Sequence, residues 1–175
     1  WGSWMKLSQA DYRDCVYAER SWVGEHNINH IPKLAQITRF TEIIATLEKA
    51  DDQIFKTVSK KRLLGEAHLC RGLMLYYLMH IYGPLPAIVD KDDINNDFQY
   101  AMENLPDAVK EHGRYTSDYA KFCMMKHCLN EGAHMKGYYE KAMQMYRELS
   151  KDNRYSLFTK GDNPYVDMFK AANDF

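Results

Sequence analysis

Two histidines, His26 and His30, have the spacing of a metal-ligand pair. Histidines four residues apart lie on one face of a helix, where both imidazoles can bind a zinc ion. However, asparagines and Pro32 interrupt this stretch, and no glutamate takes the position that a zinc hydrolase requires. A metal hydrolase is therefore the least favoured function, and we predict no metal site.

The four cysteines do not form a redox or zinc motif. None belongs to a CxxC pair, which disfavours zinc-ribbon and thioredoxin-like chemistry. We expect buried, reduced thiols that act as small apolar side chains. The alternative for Cys15 is a disulfide with a partner elsewhere. No phosphate-binding glycine loop or nucleophile elbow occurs either. We therefore predict no catalytic residues and no cofactor. The cysteines are Cys15, Cys70, Cys123 and Cys128.

Arg71 is a positive charge in the middle of a long apolar stretch. A guanidinium in an apolar helix must be paired or must reach water. Glu66 is five residues away, which is a poor spacing for a partner on the same helix. We therefore predict that Arg71 is structural, with its partner on another helix; the alternative is an arginine that grips a ligand.

Aromatic residues are concentrated in the first part of the chain, in a segment without a strong helical pattern. Sugars have apolar C–H faces that flat rings can cover, and hydroxyl rims that amides can bind. We predict ligand binding by Trp4, Trp22 and Asn27. The alternative is that these rings only cover the first helical hairpin. The aromatic residues of this segment include Trp1, Trp4, Tyr12, Tyr17 and Trp22.

Apolar residues recur with helical period along most of the chain, and no strand pattern is visible. We predict long helices over residues 34–50, 60–82, 117–131 and 138–150. The first two should form an antiparallel hairpin because their connection is short. We also predict a short helix that is capped by Asn96 or Asp97 and ends at Pro106, and another around residues 166–172.

These stripes predict which faces are buried. On the first hairpin they are Phe40, Ile44, Cys70, Met74 and Tyr77. The stripe on the second helix consists of Leu63, Ala67, Cys70, Met74, Tyr77 and Ile81. It is widened by Leu64, Leu73, Tyr76 and Leu78, so most of this helix should be buried. On the helix over residues 138–150 they are Tyr139, Ala142, Tyr146 and Leu149.

Composition bounds the possible classes of protein. The chain has 175 residues, 46% of them hydrophobic, and a formal net charge of −1. The hydrophobic content excludes a disordered chain, and a net charge close to zero does not indicate a protein that binds nucleic acid. No stretch of about 18 apolar residues is present, so no transmembrane helix is expected. We predict a single helical region over 1–175, with an irregular aromatic segment (1–31), a core of helical hairpins (32–152) and an irregular tail (153–175).

The apolar run from residue 63 to residue 86 resembles the central helix of the SusD/RagB family of nutrient-binding lipoproteins. That family carries an arginine, a small residue, paired aromatics and a closing Tyr-Gly-x-x-Pro pattern. Further motifs follow in the family's order: FQYAMENLP (98–106), GRYT (113–116), YEKA (139–142) with RYSL (154–157), and YVDMF (165–169). Two positions depart from the pattern, since Gly72 and Tyr115 stand where the family usually has alanine.

The resemblance implies an all-α fold of antiparallel, tetratricopeptide-like helix hairpins, within a fragment of a longer chain. It also implies a cell-surface protein that binds a nutrient, a glycan oligomer or a peptide, and catalyses nothing. The implied partner is a SusC-like TonB-dependent transporter in the outer membrane, with attachment through a lipid anchor outside these residues. The rival interpretation is a helical-repeat scaffold that binds only other proteins.

Overall fold

The computed structural model of the protein describes residues 34–82, 93–110, 113–167 and 169. All regular elements in these ranges are helical and none is a strand, which confirms the predicted all-α fold. None of these helices is long and apolar enough to cross a membrane. The α-helices are α1 (Leu34–Lys49), α2 (Lys60–Tyr82), α3 (Asp93–Asn104), α4 (Ser117–Glu131), α5 (Tyr138–Ser150) and α6 (Pro164–Asp167); short 3₁₀ turns cover Asp52–Ile54 and Lys151–Asn153.

Helices α1 to α5 pack in chain order, each against the next. Neighbours run antiparallel, as the predicted first hairpin illustrates. Ile44 on α1 packs with Leu64 and Ala67 on α2. At the turn, the Lys60 ammonium donates hydrogen bonds to the carbonyls of Glu48 and Ala50, at 3.0 and 2.8 Å. This serial stacking of helices is the arrangement expected of a helical repeat.

Helix α2 lies at the centre of the stack and is buried on more than one side. The predicted stripe is only partly correct: Ala67 is buried, but Met74 and Tyr77 are half-buried and Ile81 is 38% exposed. Because α2 contacts α1, α3 and α4, no single stripe describes its contacts. The buried apolar side chains of α2 are Leu64, Ala67, Leu69, Leu75, Tyr76 and Leu78.

In α1, the same correction applies to Phe40, which is half-buried, whereas Ile44 is buried as predicted. Cys70 on α2 is likewise half-buried rather than buried. A stripe of helical period shows which side chains share a face, but not how completely the neighbouring elements cover each of them.

Helix α3 begins a turn earlier than predicted, at Asp93. The prediction that Asn96 or Asp97 caps this helix is therefore wrong. An apolar face of Ile94, Phe98 and Ala101 extends back through the first turn and drives helix formation there. Asp97 lies inside the helix and is fully buried.

Helix α4 has the predicted bounds, with Thr116 as its cap. The Thr116 hydroxyl accepts a hydrogen bond from the backbone N–H of Tyr119, at 3.3 Å. The predicted buried face of α5 is only partly correct: Ala142 is buried and Leu149 half-buried, whereas Tyr139 and Tyr146 are 54% and 56% exposed. Helix α5 packs mainly against α4 and meets α3 at Asn95, which bonds Tyr138 and Lys141, so the outward rings of α5 stay at the surface.

Candidate functional site

Asp97 on α3 is the centre of a buried polar cluster. Arg71 on α2 donates from Nε to Asp97 Oδ2 at 2.8 Å and from Nη2 to Oδ1 at 2.7 Å. His68 Nδ1 lies 2.6 Å from the same Oδ1 atom. The prediction that Arg71 bonds a carboxylate on another helix is confirmed. Two parallel bonds between planar groups also fix the relative positions of α2 and α3.

The cluster extends to the outer helix of the first hairpin. Arg71 Nη1 donates to the Thr41 hydroxyl at 3.2 Å, and that hydroxyl donates to the Ile37 carbonyl at 3.0 Å. The His68 ring stacks on Tyr100 with a centroid separation of 4.1 Å. Three helices are therefore joined at one carboxylate whose oxygens already accept internal bonds. We interpret this cluster as a structural element of the scaffold and not as a ligand site.

A second buried polar residue, His127 on α4, lies among aromatic rings. Its ring is 5.9 Å from that of Tyr138 and 6.1 Å from that of Tyr76, centroid to centroid. Burial, together with the positive charges of His80 and Lys141, lowers the pKa of His127 to about 4. The imidazole is therefore neutral near pH 7 and behaves as a core side chain.

A groove of about 710 Å³ lies between α4, α5 and the turn that follows α5. Its size is within the usual range for small-molecule sites. A smaller cleft, of about 440 Å³ near Arg62 and Pro106, has no aromatic side chain among the residues described as lining it. The groove lining consists of Thr116, Asp118, Tyr119, Phe122, Met125, Tyr146, Leu149, Ser150, Asn153 and Tyr155.

Four aromatic rings in this groove are accessible to solvent. Exposure is 36% for Tyr119, 42% for Phe122, 56% for Tyr146 and 62% for Tyr155. Aromatic rings that remain exposed within a concave surface are typical of binding sites, because monomeric proteins seldom expose several large apolar side chains next to one another. Sequence patterns did not reveal this group, because helical period assigned Tyr146 to the core and gave no signal for Tyr119 and Phe122.

Asp118 bonds three side chains at one end of the groove. Its carboxylate, 2% exposed, accepts a hydrogen bond from the Tyr155 hydroxyl at 2.7 Å. Arg154 Nη1 lies 2.8 Å from Oδ2 and Lys121 Nζ lies 3.3 Å from Oδ1. Burial by itself raises the pKa of Asp118, but the bonds from Tyr155 and Lys121 and the two positive charges outweigh it and lower this pKa. Asp118 is therefore ionised near pH 7.

The turn after α5 brings Arg154 and Tyr155 back to Asp118. Asn153 has a φ of +49°, in the left-handed region that asparagine tolerates better than most residues. The Arg154 guanidinium lies 5.9 Å from the centre of the Tyr155 ring. The chain reversal and the Asp118 contacts together hold the Tyr155 ring at the mouth of the groove.

The residues predicted to bind ligand, Trp4, Trp22 and Asn27, lie outside the described residues, as do His26 and His30. The ligand-binding assignment for the N-terminal segment therefore stays a prediction. Within the described ranges, no group of three or more His, Cys, Asp or Glu side chains could hold a metal ion. The candidate site that the structure itself presents is the groove between α4 and α5.

Two comparisons with known proteins match most of this chain, whereas no protein-family model matches it. A SusD-like protein of Bacteroides ovatus is 26% identical over 178 residues, which is 88% of this chain and 30% of the relative. A crystal structure with xylogluco-oligosaccharide is 25% identical with a TM-score of 0.64, covering 81% of this chain and 32% of that chain. The chain thus spans about a third of the length of each.

Arg71, at the centre of the motif on which the resemblance depends, has the structural role predicted for it. These matches confirm the resemblance, and this chain is similar to the SusD-like proteins along most of its length.

Proposed function

We propose that this protein binds an oligosaccharide without chemical conversion and serves in nutrient capture. The observation that carries the proposal is the match in fold, at a TM-score of 0.64, to a chain that was crystallised with xylogluco-oligosaccharide. The SusD-like relative supports the same class of protein. The described residues support a binding role through exposed rings on a rigid helical scaffold.

The chemistry of capture rests on stacking and hydrogen bonding. The indoles of Trp4 and Trp22 would cover apolar sugar faces, while the amide of Asn27 would bond to hydroxyl groups. No bond in the ligand is broken, so affinity depends on desolvation of these surfaces and on prior ordering of the side chains.

The wider role that we propose is delivery. A SusC-like TonB-dependent transporter would receive the ligand at the outer membrane, with this protein held at the cell surface by a lipid anchor. Holding a ligand beside the transporter raises its effective concentration, so individual sites can be weak and still effective. The sequence resemblance supports this part of the proposal.

Calorimetric titration with xylogluco-oligosaccharides and unrelated oligosaccharides tests the binding role. Wild-type protein should bind at least one of these ligands, and Trp4→Ala or Trp22→Ala should weaken binding by about tenfold or more if that ring is an anchor. Binding that is unchanged in both variants would exclude the N-terminal segment as the site. Absence of binding to every oligosaccharide would contradict the proposal as a whole.

A protein-binding scaffold is the second candidate function. It is favoured by exposed apolar side chains on α4 and α5 outside the groove, including Leu129, Tyr139 and Met143. Exposed apolar side chains are typical of surfaces that bind other proteins. Co-purification with a transporter barrel but no affinity for any oligosaccharide would favour this candidate.

A further inference from the structure

We infer that the groove between α4 and α5 is an oligosaccharide subsite, separate from the predicted Trp4, Trp22 and Asn27 site. This inference rests on the proposed function, since it names a second place on the same protein for the same class of ligand. It depends on three features of the groove: its rings, its charge and its preorganised mouth.

The rings provide flat surfaces of the right chemistry. Three of the four exposed rings, Tyr119, Tyr146 and Tyr155, are tyrosines, which join an apolar face to a polar tip. A pyranose likewise joins a C–H face to a hydroxyl rim. The Tyr155 hydroxyl already bonds Asp118, but a partner helix with aliphatic side chains would cover the Tyr146 hydroxyl without offering it a hydrogen bond, at a cost in free energy. The lining therefore favours a sugar over an apolar helix.

The charge of the groove favours a neutral ligand. Asp118 is the one charged side chain among the described residues that line it. Its carboxylate is already paired with Arg154 and Lys121. A charged ligand would have to compete for these partners, whereas an uncharged oligosaccharide does not.

The mouth of the groove has polar groups for the hydroxyl rim. The Tyr155 hydroxyl donates to Asp118, and its oxygen can still accept a bond from a ligand. The exposed side chains of Ser150 and Asn153 lie on the same rim. The Asp118 bond and the Arg154 contact fix the Tyr155 ring before a ligand arrives, which reduces the entropy lost on binding.

Methyl NMR provides a matched pair of probes for the groove. Met125 lines it, whereas Met143 is 49% exposed on α5 and is not part of the lining. In protein with ¹³C-labelled methionine methyl groups, titration with xylogluco-oligosaccharide should shift the Met125 signal and leave the Met143 signal in place. In Trp4→Ala/Trp22→Ala protein, the Met125 shift should persist.

Two tyrosine variants give the second readout. Tyr146→Ala should weaken the affinity measured from the Met125 shift by about tenfold, as expected for loss of an anchoring ring. Tyr139→Ala is the matched control, because Tyr139 is similarly exposed on α5 but lies outside the groove. The Tyr139→Ala protein should bind the oligosaccharide with the affinity of wild type. Circular dichroism should show that both variants are folded.

The outcomes separate this inference from the proposed function. Oligosaccharide binding in calorimetry with no Met125 shift, or with equal affinities for Tyr146→Ala and Tyr139→Ala, overturns the groove as a subsite and leaves the proposed function standing. Absence of oligosaccharide binding in both experiments overturns both. A Met125 shift that Tyr146→Ala weakens and Tyr139→Ala does not supports the subsite.

Discussion

The Arg71 guanidinium donates two parallel hydrogen bonds, of 2.8 and 2.7 Å, to the buried Asp97 carboxylate across the contact between α2 and α3. The Asp97 side chain has no exposed surface and that of Arg71 is 15% exposed. Removal of one partner leaves the other charge with little access to water. The pair thus contributes to the relative placement of the two helices, together with the His68 contact and the apolar packing of α2 on α3.

Asp97→Leu should therefore destabilise the fold strongly. Loss of one partner of a buried ion pair costs about 3–5 kcal/mol, so the midpoint of urea unfolding should fall accordingly. The double variant Arg71→Met/Asp97→Leu should recover much of this loss, since both charges are removed together. A single variant as stable as wild type would show that the pair contributes nothing to the fold.

Gly72→Ala should destabilise the protein, although alanine favours helices. An alanine methyl group would lie 3.0 Å from the Asp97 Cβ atom and 3.0 Å from a ring carbon of Phe98. Overpacking costs about 1–3 kcal/mol, against about 1 kcal/mol gained in helix propensity. Differential scanning calorimetry should show a lower melting temperature. In a Phe98→Leu background the same substitution should cost less, because only the close contact with the Asp97 Cβ atom remains. A stabilised Gly72→Ala protein would contradict the close packing of α2 and α3.

Gly72 also shows what the sequence could and could not reveal. The departure from the usual alanine was visible in the sequence, and so was the need of Arg71 for a partner on another helix. The identity of that partner was not, because Asp97 follows the polar segment 90–96 and was taken for a helix cap. From sequence alone, an aspartate that caps a helix cannot be distinguished from one that forms a buried ion pair until the first residue of the helix is known.

Tyr76→Ala should be more costly than Tyr77→Ala, although the predicted stripe is centred on residues that include Tyr77 and only widened by Tyr76. Tyr76 is 7% exposed and its hydroxyl accepts a hydrogen bond from Asn130 at 2.8 Å, whereas Tyr77 is half-buried. Truncation of a large buried ring costs about 3–5 kcal/mol. Equilibrium unfolding in urea measures both variants; a larger loss for Tyr77→Ala would contradict this assignment of the core.

Stability should fall as the pH is lowered from about 6.5 to 4, and His127 should account for part of the fall. Its pKa is about 4 in the folded protein, whereas an unfolded histidine has a pKa near 6.5. The unfolded state therefore binds a proton first, so the contribution is complete above pH 6.5 and is lost towards pH 4. The expected loss is about 3 kcal/mol.

His127→Phe should flatten this part of the pH profile, and exposed His134→Gln is the matched control that should not. The Asp118 carboxylate has a lowered pKa, so its own contribution is lost only at lower pH, below about 4. Chemical unfolding at a series of pH values separates the two groups. Equal pH profiles for wild type and His127→Phe would refute the buried neutral imidazole.

Sequence patterns could not predict the candidate groove, because it depends on how the helices pack. Tyr119 and Phe122 on α4 meet Tyr146 on α5 only because two antiparallel helices lie side by side, and Tyr155 joins them through a chain reversal at Asn153. Helical period assigned Tyr146 to the core, since periodicity cannot tell whether a neighbour covers an apolar face. Helix bounds depend on local sequence, and those of α4 and α5 were predicted correctly.

Saturation-transfer NMR on the protein mixed with xylogluco-oligosaccharide tests the central claim most directly, because it reports binding and chemical change together. Non-covalent capture predicts transfer of saturation from protein to the C–H protons of the sugar, strongest on ring faces, and a sugar spectrum that stays unchanged during prolonged incubation. The absence of transfer for this and every other oligosaccharide tried, or the appearance of new reducing-end signals, would contradict it.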